Sequence, residues 1–111
     1  MLYTDFFLSQ LIESLKIKNK NAVLLYLSDH GENLFDNKLK IFGHGTVNPT
    51  KYEYHIPFIT WFSDEYKNNF PHKINALKEN LHKAATLTST FYTILDMANI
   101  DYDNAKNEKN S

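Results

Sequence analysis

Asp29 and His30 stand side by side after a short apolar run, and a carboxylate with an imidazole is a normal partial ligand set for zinc. Adjacent residues of a strand point to opposite faces, so the two side chains can meet one ion only if the backbone turns there. Gly31 permits that turn. Two ligands are not a site, because four-coordination needs at least two more groups. His44, between Gly43 and Gly45, lies where small neighbours let a ligand or phosphate approach the backbone. Glu32 and His55 add polar groups on the same stretch. Each has a plain alternative: Asp, His and Gly are ordinary turn residues, Glu32 reads equally as a solvated turn acid, and His55 as a packing residue before a strand.

Other chemistries lack their parts. The chain has no cysteine, which excludes disulfides, thiolate metal sites and a cysteine nucleophile. Ser28 has no Gly-x-Ser-x-Gly elbow around it, and Thr46 and Thr50 have no recognisable activating arrangement. Three glycines in total cannot build a P-loop or dinucleotide fingerprint. His72 and His82 fall in a helical region, are expected to be exposed, and take no role. Net charge is −1, with the basic residues spread along the chain, so no basic stripe offers nucleic acid a footing.

The elements that must position these residues read as an α/β layered fold. Residues 1–18 predict an amphipathic helix, with Leu8, Leu11, Ile12 and Leu15 at helical spacing, Thr4 and Asp5 either capping it or in its first turn, and Phe6 and Phe7 as core aromatics. Ala22 to Leu27 is apolar without alternation, which predicts a strand buried on both faces of a mainly parallel sheet. Asp29 and His30 then fall at the strand's carboxyl end, where open α/β sheets bind ligands. Residues 33–54 read as a mostly irregular loop. Residues 56–62 predict a second strand, with Pro57 at an edge or at the strand's start. Pro71 opens a helix over about 71–83, and Thr88 or Ser89 caps a final helix carrying Phe91, Ile94, Leu95 and Ala98. Residues 101–111 read as a polar tail. No apolar run approaches a membrane span, and no signal peptide is visible.

Taken together, Ser28-Asp29-His30-Gly31-Glu32, Phe42-Gly43-His44-Gly45, His55-Ile56-Pro57-Phe58 and Trp61 resemble the sulfatase/alkaline-phosphatase superfamily. The closest likeness is to bacterial phosphoethanolamine transferases that modify lipopolysaccharide. Leu2-Tyr3-Thr4-Asp5 leading into Phe6-Phe7-Leu8 looks like their preceding helix. Asn33-Leu34-Phe35-Asp36 and Pro49-Thr50-Lys51-Tyr52 lean towards the branch that modifies core sugars rather than lipid A.

The resemblance implies that residues 1–100 are the C-terminal part of a sulfatase-like catalytic domain, a partial layered fold with a mainly parallel sheet flanked by helices. It implies a zinc enzyme anchored in the inner membrane, with its catalytic domain in the periplasm. A threonine there carries phosphoethanolamine from phosphatidylethanolamine to lipopolysaccharide. Asp29 and His30 would be metal ligands, and His44 would contact the phosphoryl group, a leaving oxygen or a second metal. His55 is a weaker substrate-binding candidate. The family's threonine nucleophile, its acidic zinc ligand and the membrane helices have no counterpart in these residues, so the expectation is that this chain alone is inactive. Leu87-Thr88-Ser89-Thr90 departs from the acidic or His-Asp residues common there in the family. The alternatives are another sulfatase-superfamily hydrolase, a phosphoglycerol transferase, or a non-catalytic truncated remnant.

Overall fold

The computed structural model describes residues 2–101 except 19, 36, 37, 39 and 46. The expected tail beyond Asp101, Asp36 of the resemblance and Thr46 lie outside the described residues. The order is α1 (Leu2–Ile17), β1 (Val23–Leu27), β2 (Asn33–Leu34), β3 (Phe42–Gly43), α2 (Lys51–Tyr54), β4 (Phe58–Phe62), α3 (Asp64–Asn69), α4 (Pro71–Asn80) and α5 (Thr88–Met97).

The first helix forms where the apolar spacing predicts it. Thr4, Leu8, Ile12 and Leu15 make its half-buried stripe. Asp5 in the first turn and Lys16 in the last oppose the helix dipole favourably. Phe6 and Phe7 do not enter a core as expected: they are 60% and 53% exposed. They follow one another directly, and neither falls on the Thr4–Leu8–Ile12–Leu15 stripe.

The fold is mixed α/β, but the expected parallel sheet is not what the described strands form. β1 pairs with β4 in antiparallel register, Val23 opposite Phe62 and Leu27 opposite Phe58. The connection is compatible with that direction. A parallel pair needs a crossover layer, normally a full helix, whereas β1 and β4 are joined through a short ribbon and the four-residue α2. All five β1 residues are half-buried rather than fully buried. β4 begins at Phe58, directly after Pro57, so the missing proline N–H costs the ladder nothing.

Ser63 fastens the open end of this pair. Its hydroxyl accepts from Ala22 N and, as the N-cap of α3, from Tyr66 N; its own N–H donates to Ala22 O. Tyr66 (4% exposed) and Met97 are the buried apolar residues among those described. Tyr66 packs between Phe62 and Phe70 at ring-centroid distances of 5.4 and 4.8 Å and donates its hydroxyl to Met97 O at 2.8 Å. Burial pushes the Tyr66 phenol above its usual range. Lys73 of α4 ties down the end of α5 through the Asp96 carbonyl and carboxylate.

The final helix starts differently from the expectation. Leu87 is its N-cap and already has right-handed helical dihedrals, so Thr88 is the first helical residue and neither Thr88 nor Ser89 caps. Ser89 Oγ instead donates back to Thr86 O. At the other end Asn99 takes a φ of 56°, with Asn99 N donating to Asp96 O and Ile100 N to Leu95 O, a Schellman closure.

Ser63→Ala removes a helix cap and the Ala22 contact together. It is expected to lower stability by about 1–2 kcal/mol, read by urea unfolding of the chain; an unchanged midpoint would contradict the role given to Ser63.

Candidate metal centre

The residues after β1 turn sharply, and their own side chains shape the turn. Ser28 Oγ donates to His30 O at 2.6 Å, and Asp29 Oδ1 accepts the His30 N–H at 3.0 Å. That bond, with the nearby His30 imidazole, holds the Asp29 carboxyl below the usual range. His30 Nδ1 lies 2.8 Å from the Gly31 carbonyl. A carbonyl only accepts, so Nδ1 carries the proton and Nε2 keeps the lone pair. The same bond, opposed by desolvation and aided by Asp29, Glu32 and Glu53, raises the imidazole above its ordinary 6.5.

Gly31 is required for a reason other than the expected one. Its φ is not positive. Instead a Cβ at this position would lie 1.9 Å from Tyr52 O, so the backbone of α2 packs directly against residue 31. Gly31 N donates to Glu53 O at 2.7 Å across that contact.

Between these contacts the chain returns as a two-stranded ribbon, Asn33 opposite Gly43 and Leu34 opposite Phe42. Phe35 and Phe42 stack at 5.1 Å on its exposed side. Gly43 and Gly45 take φ values of 92° and 74°, a conformation that side chains rarely adopt, and they swing His44 back over the turn.

The histidines meet. The rings of His30 and His44 lie 4.0 Å apart between centroids. His44 Nδ1 stands 2.9 Å from Glu32 Oε2, an ion pair when the imidazole is protonated. One ligand atom from each of His30, Glu32 and His44 falls within 4.8 Å of the others, and all three residues are solvent-accessible. Asp29 is beside this group rather than in it, its Oδ2 3.7 Å from His30 Nε2. His55 is at the C-cap of α2, donating its N–H to Lys51 O. The structure therefore brings together His30, His44 and the less expected Glu32, and sets His55 apart from that group.

Sequence reasoning passed over the residues beneath the site. Asn33 is fully buried, and Glu53 is 6% exposed. Glu53 accepts from Asn33 Nδ2 (2.8 Å), Thr50 N (3.1 Å) and Gly45 N (3.0 Å). Asn33 also donates to Gly43 O and accepts from Thr50 Oγ1. The available signal was Thr50-x-x-Glu53, a capping-box spacing. Two nearby hydroxyls are engaged elsewhere: Ser28 with the His30 carbonyl, Thr50 with Asn33. Neither is bonded to a histidine nitrogen that could take its proton.

The sequence profile of the sulfatase family matches residues 1–100. The chain is 33% identical over 103 residues to phosphoethanolamine transferase EptC of Escherichia coli (strain K12), covering 92% of this chain and 17% of that protein. It is 30% identical over 89 residues to phosphoethanolamine transferase CptA of Salmonella typhimurium (79% of this chain, 15% of CptA). With phosphoethanolamine transferase EptA of Helicobacter pylori the identity is 28% over 99 residues (89% of this chain, 19% of EptA). No solved structure matches the chain. The chain thus spans under a fifth of the length of these relatives, and by the match over residues 1–100 it belongs to the sulfatase family.

Proposed function

We propose that this chain carries the histidine-bearing part of a zinc-dependent phosphoethanolamine transferase centre. The observation that carries the reading is the convergence of His30, Glu32 and His44 in a sulfatase-family chain. Two imidazoles and a carboxylate are a zinc donor set, and the Gly31 carbonyl fixes the His30 tautomer that leaves Nε2 available. In this reading His30, Glu32 and His44 hold the ion, with Asp29 beside them as a further ligand. The metal, when bound, polarises a phosphoryl oxygen and lowers the pKa of an attacking hydroxyl.

The chain's own groups bind and orient. His44, oriented by Glu32 through Nδ1, has only Nε2 left to offer, and that nitrogen serves the ion or, when not on the ion, a phosphoryl oxygen or the leaving group. His55, exposed at the end of α2, faces the acceptor. The donor is phosphatidylethanolamine and the acceptor a sugar or phosphate of lipopolysaccharide. The covalent threonine is supplied from outside these residues. Such an enzyme works at the inner membrane with its catalytic domain in the periplasm. Among the described residues no helix is long and apolar enough to cross a membrane. In the complete domain the unalternating β1 belongs to a larger, mainly parallel sheet. Names of the relatives support the transferase reading over a sulfate-ester hydrolase or a phosphoglycerol transferase.

Zinc titration of the purified chain by calorimetry tests the centre. Binding is expected, weakened by about tenfold or more in each of Asp29→Ala, His30→Ala and His44→Ala. Unchanged affinity in all three removes the ligand assignment.

Acidification gives a second expectation. The proton on His30 competes with metal, and its raised pKa lets that competition begin above pH 6.5. Zinc affinity should therefore fall as the pH is lowered through the His30 midpoint, in step with the His30 ring shifts followed by NMR. A His30 midpoint below 6.5 would contradict the Gly31 hydrogen bond.

Activity is tested by exchange. Residues 1–100 replace the matching segment of EptC, and lipid-to-lipopolysaccharide transfer is read by mass spectrometry. Transfer that disappears with His30→Ala is expected. A silent chimera with intact zinc binding favours the non-catalytic remnant, and turnover by the isolated chain would overturn the need for an outside nucleophile.

A further inference from the structure

Glu53 touches both histidine-bearing turns at once. Its backbone carbonyl accepts the N–H of Gly31, which follows His30, at 2.7 Å. Its Oε2 accepts the N–H of Gly45, which follows His44, at 3.0 Å. One residue thus holds the peptide immediately after each histidine. Oε1 accepts from Asn33 Nδ2 and Thr50 N, and the Asn33 amide reaches on to Gly43 O at 2.9 Å. The loop carrying His44 is therefore gripped on both flanks, at the Gly43 carbonyl and the Gly45 amide. The grip comes from a buried polar pair rather than from apolar packing.

We propose that Glu53 is a positioning residue of the candidate metal centre, setting the approach of His30 to His44 through both ends of its own residue. The metal aspect rests on the function proposed above; the positioning itself needs no metal. Both carboxylate oxygens are required as acceptors. Glutamine has the same shape but replaces one oxygen with an NH2 donor. In one flip that donor faces Gly45 N–H, in the other Asn33 and Thr50 N–H, so a donor meets a donor either way. Aspartate keeps two acceptors but is one methylene shorter. Asn33 acts with Glu53, bracing the opposite flank of His44.

The experiment compares the full-length chain with Glu53→Gln, Glu53→Asp and Tyr66→Phe. Tyr66→Phe removes a buried hydrogen bond remote from the turns and serves as the control for lost stability. In metal-free protein, NOEs between the His30 and His44 ring protons report their approach. In parallel, Zn2+ alone is titrated into each. Glu53→Gln is expected to lose the ring–ring NOE and to bind Zn2+ about 10- to 100-fold more weakly. Glu53→Asp should retain part of both, and Tyr66→Phe all of both. If Glu53→Gln fails to fold, the comparison of Glu53→Asp with Tyr66→Phe decides: a weakened NOE in the first and an intact one in the second support the role. An intact NOE in a folded Glu53→Gln, or equal loss in Tyr66→Phe, overturns it. Wild-type chain that shows the NOE but binds no Zn2+ overturns the metal reading while leaving the positioning result standing.

Discussion

A carboxylate taken out of water is unfavourable unless donors replace its hydration, and Glu53 is nearly out of water. The chain answers with amide N–H groups and an asparagine side chain drawn from three separate segments. That requirement organises residues 31–53. The carboxylate draws donors from β2, the glycine-flanked loop and the N-cap of α2, while the backbone carbonyl of the same residue holds the turn after β1. Partial satisfaction would leave a buried charge short of donors, which is costlier than leaving the segment open. The constraint therefore favours one arrangement of the histidines over a spread of loop conformations.

The rest of the chain is held by a different kind of contact. Around Tyr66 the helices meet through an aromatic row and one phenol–carbonyl bond, with few fully buried apolar groups among the described residues. Ser63 joins the strand pair to α3 within this part, since one hydroxyl serves both. Apolar packing fixes where the scaffold ends, and polar satisfaction fixes where the histidines stand.

What could be read in the sequence follows that division. Both main strands and the helices at 2–17, 71–80 and 88–97 announced themselves through apolar spacing and proline. Strand direction did not, because an unalternating apolar run carries no sign of parallel or antiparallel partners. The ribbon and α2 were missed because elements of two to four residues have no room for a period. Phe6 and Phe7 misled, since aromatic character suggested burial and their position on the helix denied it. Within the site, Asp29, His30 and His44 were conspicuous by residue type. Glu32 looked like an ordinary turn acid until the ribbon brought His44 to it. Glu53 looked like one more acid in an irregular loop, and only its spacing from Thr50 hinted otherwise.

The contacts that build the histidine cluster join residues 8, 10 and 20 positions apart, whereas the strand fastening and the aromatic core span 41 and 31. Short loops close at lower entropic cost and faster than long ones. The ribbon with α2 thus needs the shorter closures, and the pairing of β1 with β4 the longer ones. Loop-closure entropy therefore opposes the meeting of the two histidines less than it opposes the meeting of the two main strands.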